Sequence, residues 1–177
     1  MTNHSMSMSR INRKVVFLDR DGVINHDPGD YTTSLNEFKI LSGVIDFLKN
    51  ATSSGYAIIV ITNQGGIAKN KYGFEDFYEI NDYMKAQFLT AGINYLETFF
   101  CPHHDIISNC LCRKPKSGMI EKAIALYQVD PEISVMIGDK WRDLDAAHSS
   151  GVFGVKTDVN QDLRSVKFPQ KFSDLNM

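Results

Sequence analysis

Five short apolar runs alternate with segments of helical period along this chain: Val15 to Leu18, Ala57 to Ile61, Tyr95 to Phe100, Ile133 to Ile137 and Val152 to Val155. An unbroken run of Val, Ile, Leu and Phe is what a strand buried on both faces requires. Between the runs, Val44, Phe47, Leu48 and Ala51 follow the i, i+3, i+4, i+7 rule, as do Ile120, Ala123, Ile124 and Tyr127. Phe77, Ile80, Met84, Phe88 and Ala91 make a longer stripe of the same kind, and such stripes pack a helix against a core. Strands alternating with helices predict right-handed crossovers. The expected fold is therefore α/β, a Rossmann-like parallel sheet with helices on both faces.

With 177 residues, 43% hydrophobic and 23% charged, the chain needs only one such domain. It is expected over 15–157, between an N-terminal arm, 1–14, and a C-terminal tail, 158–177, where periodicity is lost. The arm has no apolar core of the signal-peptide kind, and nowhere do enough apolar residues run together to cross a membrane. A cytoplasmic protein without membrane partners follows, and a monomer is expected. A formal net charge of -2 speaks against a nucleic-acid surface and for a small substrate.

In open parallel sheets, ligands bind beyond the carboxyl ends of the strands, and every polar cluster here falls at that edge. Asp19 and Asp21 follow the first run, one residue apart on a glycine turn, so both address the same side. Two carboxylates about 4 Å apart repel by roughly 4 kcal/mol at an effective dielectric of 20, and a cation between them removes that cost. With Asp139 after the fourth run they make a site for a hard octahedral ion, which points to Mg²⁺. Thr62, before Asn63-Gln64-Gly65-Gly66, brings a hydroxyl and backbone N–H groups to an anion. Lys114, restricted by Pro115, and its neighbour Arg113 are suited to a phosphate, as a point charge and as a planar fork.

All three cysteines lie in one window, Cys101, Cys110 and Cys112. With His103 or His104 they supply three thiolates and one imidazole, a closed tetrahedral set for structural Zn²⁺. The loop 101–112 is therefore expected to be zinc-bound.

Taken in order, Asp19-x-Asp21-Gly22, Thr62, Lys114 and Gly138-Asp139 with Asp143 resemble the four motifs of the haloacid dehalogenase superfamily of phosphatases. The zinc cluster, Thr62-Asn63-Gln64 and Cys112-Arg113-Lys114-Pro115 are similar to its zinc-containing branch, which holds heptose-1,7-bisphosphate phosphatases and histidinol-phosphate phosphatases. Asn63 to Lys69 and Lys114 to Met119 look more like the heptose side. The short spacer between His103 and Cys110 looks like the histidinol side.

The resemblance implies Asp19 as nucleophile, forming an aspartyl phosphate, and Asp21 as the acid that then activates water. It implies Mg²⁺ on the Asp19 and Asp139 carboxylates and the Asp21 carbonyl, with Thr62 and Lys114 on the phosphoryl group. Arg113 and Lys140 would hold the rest of a small phosphorylated sugar. The segments 22–42 and 64–73 are too short for a separate cap domain, so the loops at Asp27, Gly29, Asn63, Gln64 and Gly65 are expected to supply further substrate contacts. Two rivals remain at this level: a phosphatase of polynucleotide 3'-phosphate ends, and a non-catalytic zinc-containing module that binds a partner.

Overall fold

The computed structural model of the chain describes residues 13–177. The expected arm, 1–14, therefore lies outside the described residues apart from Arg13 and Lys14. Five strands, β1 (Val15–Leu18), β2 (Ala57–Asn63), β3 (Tyr95–Cys101), β4 (Val135–Gly138) and β5 (Phe153–Lys156), form one parallel sheet in the order β3-β2-β1-β4-β5. Helices α1 (Val44–Ser53) and α2 (Phe74–Thr90) cover one face, with Phe47, Leu48, Ile80 and Met84 packed under Val16 and Ile58. On the other face, α3 (Gly118–Tyr127) and α4 (Trp141–Ser149) bury Ile120, Ala123, Ala146 and Ala147 against Phe17, Ile59 and Met136.

Burial follows position in the sheet. Every residue of β1 and β4 is buried, whereas the edge strands β3 and β5 are half covered, as a doubly covered parallel sheet demands of its centre. Leu18 pairs with Val60 on one side and Ile137 on the other, so β1 and β4 end nearly level while β2 runs on to Asn63. The chain leaves β1 toward β2 and β3, then crosses back to β4 and β5, which places the switch of direction between β1 and β4. Asp19 and Asp139 stand at that switch point, where such sheets bind ligands.

Some boundaries differ from expectation for local reasons. Ile133 belongs to a 3-10 turn, Pro131–Ile133, because the Asp130 side chain accepts from Glu132 N–H and caps it; β4 begins only at Val135. Val152 completes the C-terminal turn of α4 through Ala147 O, so β5 starts one residue later. Thr62 and Asn63 extend β2, pairing with Phe100 and Cys101 of β3 rather than sitting in a turn. Helix α4 has no apolar stripe strong enough to be read in advance.

The tail beyond β5 returns over α1. Leu163, Val166, Phe168, Phe172 and Leu175 are buried in the same core as Phe47, and Phe47 stacks on Phe168 with ring centroids 5.6 Å apart. Lys14 and Tyr56 both contact the Asp174 carboxylate, at 3.0 and 3.1 Å. Truncating the 1% exposed Phe172 to Ala is expected to cost about 3 kcal/mol, the usual scale for a buried aromatic. Chemical denaturation of Phe172→Ala checks this, with an unchanged m-value marking an intact fold.

Candidate active site

Three carboxylates converge at the switch point. One oxygen each from Asp19, Asp139 and Asp143 lie within 4.8 Å of one another, and all three residues are buried. Lys114 reaches under them from the loop before α3. Its ammonium lies 2.9 Å from Asp19 Oδ1 and 2.7 Å from Asp143 Oδ1, and donates to Ile61 O at 2.6 Å. Burial opposes that charge, but Asp143 and Asp19 more than offset it and hold the Lys114 pKa above its ordinary value.

One ammonium cannot neutralise three carboxylates. Burial, aided by the charges of Asp143 and Asp139 and opposed by Lys114, pushes Asp19 up to about 7. Both Asp139 oxygens and Asp143 Oδ1 are buried without a hydrogen bond. Lys140 Nζ lies 2.7 Å from Asp139 Oδ2 and Lys114 Nζ 2.7 Å from Asp143 Oδ1, so these two oxygens are ion-paired and Asp139 Oδ1 has neither kind of partner. Three buried carboxylates that converge in this way, one oxygen of Asp139 lacking any partner, are the donor set of a hard divalent cation, and the residues fit Mg²⁺. Gly22 is required here: its φ is +87°, and a Cβ would sit 2.7 Å from Asp139 Oδ2.

Asp21 turns away from this group. Its carboxylate accepts from Arg20 at 2.9 and 3.0 Å, from Asn25 at 3.0 Å and from Gln64 at 2.9 Å. Burial pushes its pKa up, but Arg20 and these hydrogen bonds outweigh it and hold it below the usual carboxylate range. Gln64 also donates to Thr62 Oγ1 at 2.8 Å and accepts from Tyr72 Oη at 2.5 Å. Tyr72 thus reaches Asp21 and Thr62 through one amide. The other amide, on Asn63, exchanges two 3.0 Å hydrogen bonds with the Lys114 backbone, so it braces the lysine.

Around the opening, Asp27 caps its own turn by accepting from Gly29 N–H at 2.8 Å, and Asn160 of the tail exchanges hydrogen bonds with the Asp27 backbone. Lys140 lies 3.8 Å from the Asp27 carboxylate. Gly65 is packed under His104 and Arg113, and Arg113 donates to His103 O at 3.1 Å. A cavity of about 90 Å³ joins Asp19, Asp21, Asp27, Asn63, Gln64 and Arg142. The larger groove, about 710 Å³ beside His148 and Phe153, touches none of the clustered carboxylates.

Cys101 closes β3, and its thiol lies 3.1 Å from Cys112 Sγ, 3.6 Å from Cys110 Sγ and 3.6 Å from His103 Nδ1. These separations are far beyond a disulfide. They approach the roughly 3.8 Å edge of a tetrahedron with zinc–sulfur bonds of about 2.3 Å, so the donor set fits structural Zn²⁺. His103 is the imidazole of the group. His104 instead faces Asp105 at 3.1 Å.

The reading of motifs located Asp19, Asp139, Lys114 and the cysteines in their clusters, and noted Asp143 without its ion pair. It missed Arg20, Asn25, Tyr72, Arg142 and Asn160. Only Arg20 and Asn25 carried a signal, as polar neighbours of Asp21.

A parallel sheet with these carboxylates at its switch point and a buried lysine beside them defines a phosphatase of the haloacid dehalogenase type. Residues 14–164 match the family described as polynucleotide kinase 3 phosphatase, and the chain belongs to that family. It is 36% identical over 159 residues to the D-glycero-beta-D-manno-heptose-1,7-bisphosphate 7-phosphatase of Haemophilus influenzae, covering 87% of this chain and 83% of that one. It is 39% identical over 153 residues to the corresponding alpha-named enzyme of Photorhabdus laumondii, covering 81% and 83%. The crystal structure of D,D-heptose 1,7-bisphosphate phosphatase from B. bronchiseptica, complexed with magnesium and phosphate, superposes with a TM-score of 0.78 at 29% identity over 89% of each chain. No helix among the described residues is long and apolar enough to cross a membrane.

Two outcomes follow from the metal sites. The folded chain without magnesium holds the Asp19 proton more tightly than the unfolded chain, so this group favours folding below pH 3.8 and the benefit is lost as pH rises through about 7. Thermal melts of zinc-loaded, magnesium-free protein should fall between roughly pH 5 and pH 8, and added Mg²⁺ should raise the Tm more at the higher pH. Cys112→Ser should lose stoichiometric zinc by elemental analysis and lower the Tm, because one of the converging donors is gone.

Proposed function

We propose that the chain removes the 7-phosphate of D-glycero-D-manno-heptose 1,7-bisphosphate, acting as a cytoplasmic monomer through the domain 15–157. The observation that carries this reading is the likeness, over more than four-fifths of the chain, to enzymes named for that reaction. Binding of a polynucleotide end is disfavoured by the net charge of -2. A purely non-catalytic module has no use for a buried lysine and three carboxylates at a switch point.

In this mechanism Asp19 attacks phosphorus. Arg20 N–H and the Lys114 ammonium both meet Asp19 Oδ1, at 2.8 and 2.9 Å, which leaves Oδ2 as the nucleophile and fixes its direction. The P–O bond to the sugar breaks as the aspartyl phosphate forms, and Asp21 delivers a proton to the departing oxygen. Asp21 is ionised while Arg20 holds it, but a phosphate dianion brought beside it opposes ionisation, and the same carboxyl then takes up a proton. In the second half, Asp21 accepts a proton from water, whose oxygen attacks the aspartyl phosphate and frees Asp19. Asp19, Asp139 and the Asp21 carbonyl, with Asp143 beside them, would hold Mg²⁺, which would supply the positive charge that lets a carboxylate meet a phosphate dianion. Lys114 and the Thr62 hydroxyl steady the phosphoryl oxygens, and Gln64 aims Thr62 and Asp21 together. Arg113 and Lys140, with the turn at Asp27 and Gly29 and with Gly65, border the sugar. Asn63 serves through Lys114.

Steady-state comparison of the alpha and beta heptose 1,7-bisphosphates with histidinol phosphate tests the substrate. A higher kcat/KM for histidinol phosphate overturns the reading. Asp19→Asn should lower kcat by more than about a thousandfold, the scale for a lost covalent nucleophile. Acid-quenched turnover of the unaltered enzyme with labelled substrate should place the phosphoryl label on the peptide containing Asp19.

A further inference from the structure

Every polar atom of the Gln64 side chain is engaged, and the residue is buried. A side-chain amide carries two N–H donors on one atom and an acceptor on the other. Gln64 Nε2 donates to Asp21 Oδ2 at 2.9 Å and to Thr62 Oγ1 at 2.8 Å, while Oε1 accepts from Tyr72 Oη at 2.5 Å. The direction of the amide decides what Thr62 can do. Its oxygen accepts from Gln64, and its own proton goes to no acceptor among the described residues. That proton is left for the phosphoryl oxygen. Turned over, the amide would set Oε1 against the Asp21 carboxylate, which repels it, and against Thr62, whose proton it would draw away from phosphate.

Tyr72 favours the observed direction from the other end. Gln64 is the one hydrogen-bond partner of its hydroxyl among the described residues. Burial pushes the Tyr72 pKa up, against the charge of nearby Arg20, so the hydroxyl keeps its proton and can donate. The ring is also held in place. Gly66 leaves room for it, since a Cβ there would lie 2.3 Å from Tyr72 Cε1, and the Tyr31 ring stands 6.1 Å away.

Resting on the role given above to Thr62, we infer that Tyr72 is a positioning residue of this phosphatase: its hydrogen bond locks the Gln64 amide with both N–H groups toward the site, and so directs the Thr62 proton at the transferring phosphoryl group. Tyr72 acts through two side chains, Gln64 and then Thr62, and its ring serves only to carry the hydroxyl.

A double-mutant cycle tests this, with kcat/KM for heptose 1,7-bisphosphate measured for the unaltered enzyme, Tyr72→Phe, Thr62→Val and the two together. Tyr72→Phe removes one oxygen and keeps the ring. It should lower kcat/KM about fivefold, the scale of one neutral hydrogen bond. In the Thr62→Val background, where no hydroxyl remains to be aimed, the same change should cost less than about twofold. Rates unchanged in Tyr72→Phe overturn the inference, and so does an equal loss in both backgrounds, which marks a merely structural role. Either result leaves the assigned reaction standing. A Thr62→Val enzyme as fast as the unaltered one overturns the role given to Thr62, and the inference with it. Thermal melts fix an assay temperature below the Tm of every variant, so that the rates report positioning and not folding.

Discussion

The ammonium of Lys114 holds this centre together. It is buried, and it touches the carboxylate that ends β1, the carbonyl near the end of β2 and the carboxylate that opens α4. Three separate elements are pinned to one charge. Removing one partner of a buried ion pair leaves an uncompensated charge and costs several kcal/mol, so the lysine and its two aspartates form a unit in which no member is replaceable alone. The lysine is itself positioned by Asn63, whose amide grips its backbone in both directions.

Charge balance links this lysine to the chemistry. The cluster carries more negative charge than Lys114 cancels, and the surplus is concentrated on oxygens with no hydrogen bond. Burial first, and that surplus after it, disfavour the ionised form of Asp19, and a divalent cation would oppose both. Asp21, two residues on, lies in the opposite environment, where Arg20, Asn25 and Gln64 stabilise its anion. Both carboxylates are buried, and they differ because at Asp21 donors outweigh that burial whereas at Asp19 neighbouring anions add to it.

The central strands were legible because β1, β2 and β4 are apolar on both faces, and α1, α2 and α3 because their stripes are regular. Helix α4 was not, since it buries mainly Ala146 and Ala147 and devotes Asp143 to an ion pair. The site divides along the same line. Asp19, Asp139, Lys114 and the zinc ligands could be read because strand ends and close spacing bring them together. Tyr72, Arg142 and Asn160 could not, because each meets the site through a contact between distant segments that no local pattern encodes. Asn63 and Gln64 were visible as polar residues beside a glycine turn, yet only the fold shows that their amides also brace Lys114, Asp21 and Thr62. The choice between His103 and His104 likewise depended on which ring the loop turns toward Cys101.

The end of β2 is stitched directly to the zinc loop, with Asn63 paired to Cys101 and Gln64 N–H bonded to Cys101 O at 2.7 Å. Arg113 and Lys114 follow at once on the last zinc ligand, Cys112. A zinc ion held by Cys101, His103, Cys110 and Cys112 would therefore also help to keep Lys114 in place beside Asp19. Loss of zinc would then loosen the end of β2 and the lysine together, although neither the sequence nor the carboxylate cluster had changed.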